Sequence, residues 1–148
     1  MKIYFGTDHA GFELKEFLLE YVRDELGHEV IDCGASELNP DDDYPVYMKV
    51  VAESVSGDGD AKGIILGGSG QGEAMAANRF PGARAVVYYG GSEDIITLSR
   101  EHNDANILSL GARFIDTDIA KRVVSLWLET EFSGDDRHIR RISQIEQN

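Results

Sequence analysis

Short apolar runs alternate with longer amphipathic stretches along the whole chain, and this alternation limits the fold more than any other feature. Residues 2–6, 29–33, 63–66, 83–89 and 107–110 read as strands, while 11–26, 46–56, 73–78, 93–103 and 117–129 read as helices. Strands separated by single helices need crossover connections, which are right-handed and leave the strands parallel. The pattern predicts a five-stranded parallel sheet in a three-layer α/β/α, Rossmann-like domain with a C-terminal helical extension. At 148 residues the chain can bury a real core without disulfides, and no repeat, low-complexity stretch or linker divides it. A single domain over 1–148 is expected.

In such sheets ligands bind at the carboxyl ends of the strands. The third apolar run, Gly63-Ile64-Ile65-Leu66, empties into Gly67-Gly68-Ser69-Gly70-Gln71-Gly72, and Glu73 heads the next helical stretch. Glycines let the backbone approach a ligand and turn its N–H groups inward, and a helix amino end adds partial positive charge. The loop therefore suits an anionic or oxyanionic ligand, although a bare tight connection would look the same. Glu73 is either a first-turn partner of the helix dipole or a proton acceptor beside the cradle. No Lys-Ser or Lys-Thr pair follows the glycines, so the loop is not a Walker loop. It follows the third strand rather than the first, and no acidic residue ends the next one, which argues against a dinucleotide site.

With 27 acidic and 14 basic residues the net charge is -13, which argues against nucleic-acid and anionic-membrane partners and makes clustered arginines conspicuous. The one cysteine, Cys33, can form no internal bridge, and the start Met1-Lys2-Ile3-Tyr4 has no signal-peptide core. No apolar run reaches membrane length, and a soluble cytoplasmic protein is expected. Cys33 closes the run Val30-Ile31-Asp32 and reads as a small apolar residue at a strand end rather than a nucleophile. Residues 36–45, with Asp41-Asp42-Asp43, read as a surface loop. That acidic run lacks the calcium-loop pattern, and neither His-x-x-His nor paired cysteines occur, so no metal site is expected.

The carboxyl-end rule gathers Thr7-Asp8-His9-Ala10-Gly11, the glycine loop with Ser69 and Glu73, and Gly111-Ala112-Arg113. The run Arg100-Glu101-His102-Asn103, just before the fifth strand, is expected in the same place. His9, His102 and His138 share polar contexts with Asp, Asn or Arg and read as chemistry, whereas His28 reads as a surface residue at a turn. In the tail Arg137-His138-Ile139-Arg140-Arg141, a helix would bring Arg137 and Arg141 onto one face. That face is either a phosphate clamp or a solvated charged surface.

Taken in order, Gly6-Thr7-Asp8-His9-Ala10-Gly11-Phe12, Asp43-Tyr44-Pro45, the glycine loop through Glu73 with Ala76-Ala77-Asn78, Arg100 to Asn106, Leu110-Gly111-Ala112-Arg113 and Arg137-His138 span nearly the whole chain. This set resembles the ribose-5-phosphate isomerase B group, which also includes galactose-6-phosphate isomerase subunits. One departure matters. Many members of that group carry a cysteine base at the position of Gly67; this chain is similar to the subgroup whose base is a glutamate closing the loop, here Glu73.

The resemblance implies interconversion of ribose 5-phosphate and ribulose 5-phosphate within pentose phosphate metabolism, by ring opening and an enediolate. It implies Asp8 and His102 for ring opening, with His102 as proton donor, and Glu73 as the base moving a proton between C2 and C1. Ser69 with the backbone of Gly68, Gly70, Gln71 and Gly72 would hold the developing oxyanion, and Asn103 would orient sugar hydroxyls. His9, Arg113, Arg137 and Arg141 would hold the phosphate. Tyr44 would border the pocket, mainly by packing. No metal or organic cofactor is implied, and the expected assembly is a homodimer or homotetramer with active sites between subunits, reached through residues 133–148. A hexose 6-phosphate isomerase of allose or galactose type, or a non-catalytic sugar-phosphate-binding subunit, are the competing readings.

Overall fold

The computed structural model describes residues 1–147, so residue 148 of the expected extension lies outside the described part. Strands β1 (Lys2–Thr7), β2 (Glu29–Asp32), β3 (Lys62–Gly67), β4 (Ala85–Tyr88) and β5 (Ile107–Gly111) form one sheet in the order β2-β1-β3-β5-β4, with every pairing parallel. The expected three-layer fold is borne out, because alternate strand residues supply two separate cores. Ile64, Leu66, Leu108 and Leu110 pack with Leu14, Leu18, Val123 and Trp127 on one face, while Ile65 and Ile107 pack with Met48, Val51 and Val55 on the other. Helices α1 (Phe12–Glu20), α4 (Asp94–Glu101) and α5 (Thr117–Glu129) contribute to the first core, and α2 (Tyr44–Gly57) and α3 (Gln71–Ala77) to the second.

This division positions the site. The connection leaving β1 enters α1 on one face, and that leaving β3 enters α3 on the other, so a crevice opens between two neighbouring carboxyl ends. Thr7 Oγ1 donates to the Leu66 carbonyl at 3.0 Å and ties those ends together.

Several boundaries differ from the sequence reading for local reasons. Helix α2 begins at Tyr44, inside the expected loop, because Pro45 sits in the first turn, where a missing N–H costs nothing. Helix α3 begins at Gln71 rather than Glu73: Gly70 adopts φ +77, a left-handed turn open to glycine, and starts the helix two residues early. The first helix gives way to a wider π turn over Tyr21–Glu25. Strand β4 starts only at Ala85, whose N–H and carbonyl are both bonded by the Asn78 amide at 2.7 and 2.9 Å.

The extension is helical as expected. Helix α6 (Asp136–Ile145) is fastened by Glu146, which accepts from Arg84 at 2.9 Å and from the Gly82 N–H at 3.0 Å, next to the start of β4. Among the described residues, no helix is long and apolar enough to cross a membrane.

Candidate active site

At the carboxyl edge lies an open cleft of about 540 Å³, lined by Asp8, His9, Tyr44, Gly68, Ser69, Gly72, Glu73, Arg113 and Phe114 among others. It is built from the ends of β1, β3 and β5. After β1, Asp8 caps a single 3-10 turn, His9–Gly11, by accepting from the Ala10 N–H at 2.9 Å. The glycine loop after β3 is fastened from below by Ser109 Oγ of β5, which donates to the Gly70 carbonyl at 2.7 Å. Ser69 Oγ accepts from the Gln71 N–H at 3.3 Å. Gln71 itself is exposed at the first position of α3.

Glu73 stands one residue beyond Gly72, in the first turn of α3, and is only 5% exposed. A Cβ built on Gly67 would overlap its carboxyl group, so the Glu73 side chain fills the space above a position that has none. Burial pushes the Glu73 carboxyl above its ordinary value; hydrogen bonds from its own N–H and that of Gly70 oppose the rise, and the nearby charge of Asp8 adds to it. A carboxyl held this way is a stronger base than a solvated one. The Arg113 guanidinium lies over Gly68, and Tyr44 packs against Gly72 while also lining the cleft.

His9 forms the far wall, and its partner comes from the loop before α2. Its Nδ1 lies 2.7 Å from Asp42 Oδ1, which also accepts from the His9 backbone N–H at 3.0 Å, and Tyr47 donates to Asp42 Oδ2 at 3.2 Å. Burial works to raise the Asp42 carboxyl, yet these hydrogen bonds hold it below the usual carboxylate value. The sequence reading passed over Asp42 as one of three acidic loop residues. Its neighbours Asp41 and Asp43 are indeed exposed; only the middle one turns inward, and an undifferentiated acidic run carries no signal for that. Asp8, His9 and Asp42 also bring three possible metal-ligand atoms within 4.8 Å of one another: His9 Nδ1 lies 2.7 Å from Asp42 Oδ1 and 3.8 Å from Asp8 Oδ2.

His102 and Asn103 do not reach this cleft, which corrects the expectation that the run before the fifth strand joins the others. Helix α4 travels back against the parallel strands, so whatever follows it emerges at the amino edge, opposite Glu73. The tail arginines belong to that edge too. The rings of His102 and His138 stack with centroids 4.2 Å apart and planes at 15°. His138 is 2% exposed, and burial, followed by the charges of His102 and Arg137, lowers its pKa. Arg137 Nε lies 3.3 Å from His138 Nε2. Arg137 and Arg141 are exposed one turn apart on α6, as the spacing predicts. Cys33 takes no part in either cluster: it pairs with β1 through its backbone, and burial raises its thiol pKa.

The chain thus has a buried carboxylate under a glycine loop at one end and a cationic histidine-arginine cluster at the other. Comparison with known proteins gives this arrangement a family. The ribose/galactose isomerase family model matches residues 3–145. Ribose-5-phosphate isomerase B of Escherichia coli is 43% identical over 147 residues, covering 97% of this chain and 93% of that protein. The protein of the same name from Mycobacterium tuberculosis is 42% identical over 142 residues, covering 96% and 86%. Among solved structures, ribose-5-phosphate isomerase B of Mycoplasma genitalium with bound ribulose-5-phosphate superposes with a TM-score of 0.92 at 34% identity, over 99% of this chain and 94% of that one. The chain belongs to the ribose/galactose isomerase family.

Proposed function

We infer that this protein is an aldose-ketose isomerase that interconverts ribose 5-phosphate and ribulose 5-phosphate. The observation that carries the reading is Glu73, a buried carboxyl of raised pKa beneath an anion-suited loop and beside Asp8, in a chain whose relatives bear the name of that enzyme. A module that only binds sugar phosphates needs cations but no buried base.

The chemistry sets the steps, and the resemblance to the family supplies a residue for each. Opening the furanose ring requires a proton for the ring oxygen, given by His102, while Asp8 takes the proton of the anomeric hydroxyl. Glu73 then removes the C2 proton and returns it to C1, with the enediolate oxygen held by Ser69 and backbone N–H groups of the glycine loop, Gly68 and Gly70 to Gly72. The overlap of the Glu73 carboxyl with a side chain at position 67 supports the glutamate as base, since the two cannot share the space. His9 and Arg113 receive the phosphate at the carboxyl edge.

His102, Asn103, Arg137 and Arg141 contribute by completing the cleft of a neighbouring subunit. The reading is supported by their position at the opposite sheet edge of their own chain and by the exposure of both arginines. A homodimer is the smallest assembly that satisfies it; the proton transfers named above call for no cofactor, and a cytoplasmic location belongs to the same reading. The test is a coupled isomerase assay on purified protein with ribose 5-phosphate, allose 6-phosphate and galactose 6-phosphate. The highest kcat/KM is expected for ribose 5-phosphate; a hexose preference would replace the substrate, and no turnover on any of the three would leave only a binding protein.

A further inference from the structure

Asp42 is a loop carboxylate whose side chain is 7% exposed, and its hydrogen bonds join His9, which lines the cleft, to Tyr47. One oxygen takes both the backbone N–H and the Nδ1 of His9, and the other is held by the Tyr47 hydroxyl from the first turns of α2. The backbone contact fixes where His9 begins, the ring contact fixes how its imidazole is turned, and Tyr47 keeps the carboxylate from rotating away.

We propose that Asp42 is the positioning residue of His9. It commits Nδ1–H of the ring to itself, fixes the ring plane, and leaves Nε2 as the nitrogen presented to the substrate's phosphate end. The chemistry is that of a carboxylate-histidine pair: an ionised carboxylate can only accept, so the nitrogen facing it must carry the proton. Nε2 then accepts from a hydroxyl when the ring is neutral and donates to a phosphate oxygen when it is protonated. Asp8 Oδ2, the other carboxylate oxygen near Nδ1, lies 3.8 Å away and beyond hydrogen-bond reach, so without Asp42 both tautomers and several ring angles become available, and each substrate encounter must select the productive one. The effect should therefore fall on binding. The assignment of a phosphate to His9 rests on the isomerase reading above; the orientation of its ring by Asp42 does not.

The experiment uses the full chain with nitrogen-15-labelled histidine, the His9 signals being identified by their loss in His9→Gln. In the unmodified protein the ring nitrogens should report a protonated Nδ1. Asp42→Asn, which keeps the size of the side chain, should move those signals toward a tautomer mixture and raise KM for ribose 5-phosphate about tenfold, the scale of one hydrogen bond to a charged group, with kcat changed less than about threefold. The exposed neighbour is the control: Asp41→Asn should leave both readouts unchanged. His9 ring signals unaltered in Asp42→Asn would overturn the positioning role, whereas an unaltered KM or a loss confined to kcat would overturn the service of the oriented ring to the phosphate. A chain that isomerises no sugar phosphate would sink the proposed function instead, while the ring-nitrogen measurement, made without substrate, would still decide whether Asp42 orients His9.

Discussion

The two edges of the sheet carry their candidate site residues in opposite ways. At the carboxyl edge, Glu73 and Asp8 are buried and Asp42 nearly so, each held by backbone N–H groups or neighbouring side chains on short turns that the strands position directly. At the amino edge, Arg137 and Arg141 project from a terminal helix, and the one buried member, His138, serves as a platform for His102. The contrast follows the chemistry. A proton-transferring carboxylate needs a dry, fixed setting to shift its pKa, whereas a cation that reaches the phosphate in a neighbouring subunit's cleft, beside that subunit's own His9 and Arg113, must project outward. In this reading each chain supplies the base to one cleft and the clamp to another, and the comparison can be broken at either edge.

The largest effect is expected at the carboxyl edge. Glu73→Gln keeps the shape of the side chain but cannot accept the C2 proton, so kcat should fall about a thousandfold, within the usual range for lost general-base catalysis, while KM moves little. Exchange of the C2 hydrogen with solvent deuterium should stop. If exchange and turnover both continue, the base is elsewhere and the buried carboxyl is structural.

At the amino edge a smaller loss of a different kind is expected. Arg137→Ala or Arg141→Ala should raise KM for the sugar phosphate by about ten- to a hundredfold, the value of one or two charge-assisted contacts. The decisive version mixes the edges. An Arg137→Ala, Arg141→Ala double variant combined with Glu73→Gln should regain activity through hybrid sites that pair an intact base with an intact clamp; for a randomly mixed two-fold dimer the regain is about a quarter of the unmodified level. Oligomers shown to be mixed that regain nothing would assign base and clamp to the same chain and dissolve the contrast.

What the sequence discloses follows the same division. The sheet, the crossovers and the turns after β1, β3 and β5 are legible because strand alternation, glycine spacing and the carboxyl-end rule are local or topological signals. They bring Asp8, His9, Ser69, Glu73 and Arg113 to one cleft. The misplacement of His102 and Asn103 came from proximity in sequence to β5 without regard to direction: a residue before a parallel strand lies at the opposite edge from one after it, as Arg113 does. The sequence groups His138 with the chemistry-bearing histidines but does not disclose its burial: α6 buries that one position while leaving Arg137, Ile139, Arg140 and Arg141 exposed. Asp42 needed a long-range contact, 33 residues back to His9, that no periodicity encodes.

The smallest effect is on stability, and it sharpens the comparison by testing whether the carboxyl edge is dry. Because burial raises the Glu73 carboxyl above its ordinary value, the folded protein holds that proton to higher pH than the unfolded chain does. The unmodified protein therefore keeps the full contribution of Glu73 below the unfolded value, about 4.3, and loses it as pH rises through the folded value. Glu73→Gln has no proton to lose. Its thermal midpoint relative to the unmodified protein should climb as pH rises from about 4 toward neutrality and level off once the native carboxyl is ionised. The hydrogen bonds from the Glu73 and Gly70 N–H groups oppose the rise, so the climb reports burial and the Asp8 charge net of those bonds. A difference that stays flat or shrinks with rising pH would mean that Glu73 ionises as readily in the fold as in water, and the carboxyl edge would then be no drier than the arginine-bearing face it is contrasted with.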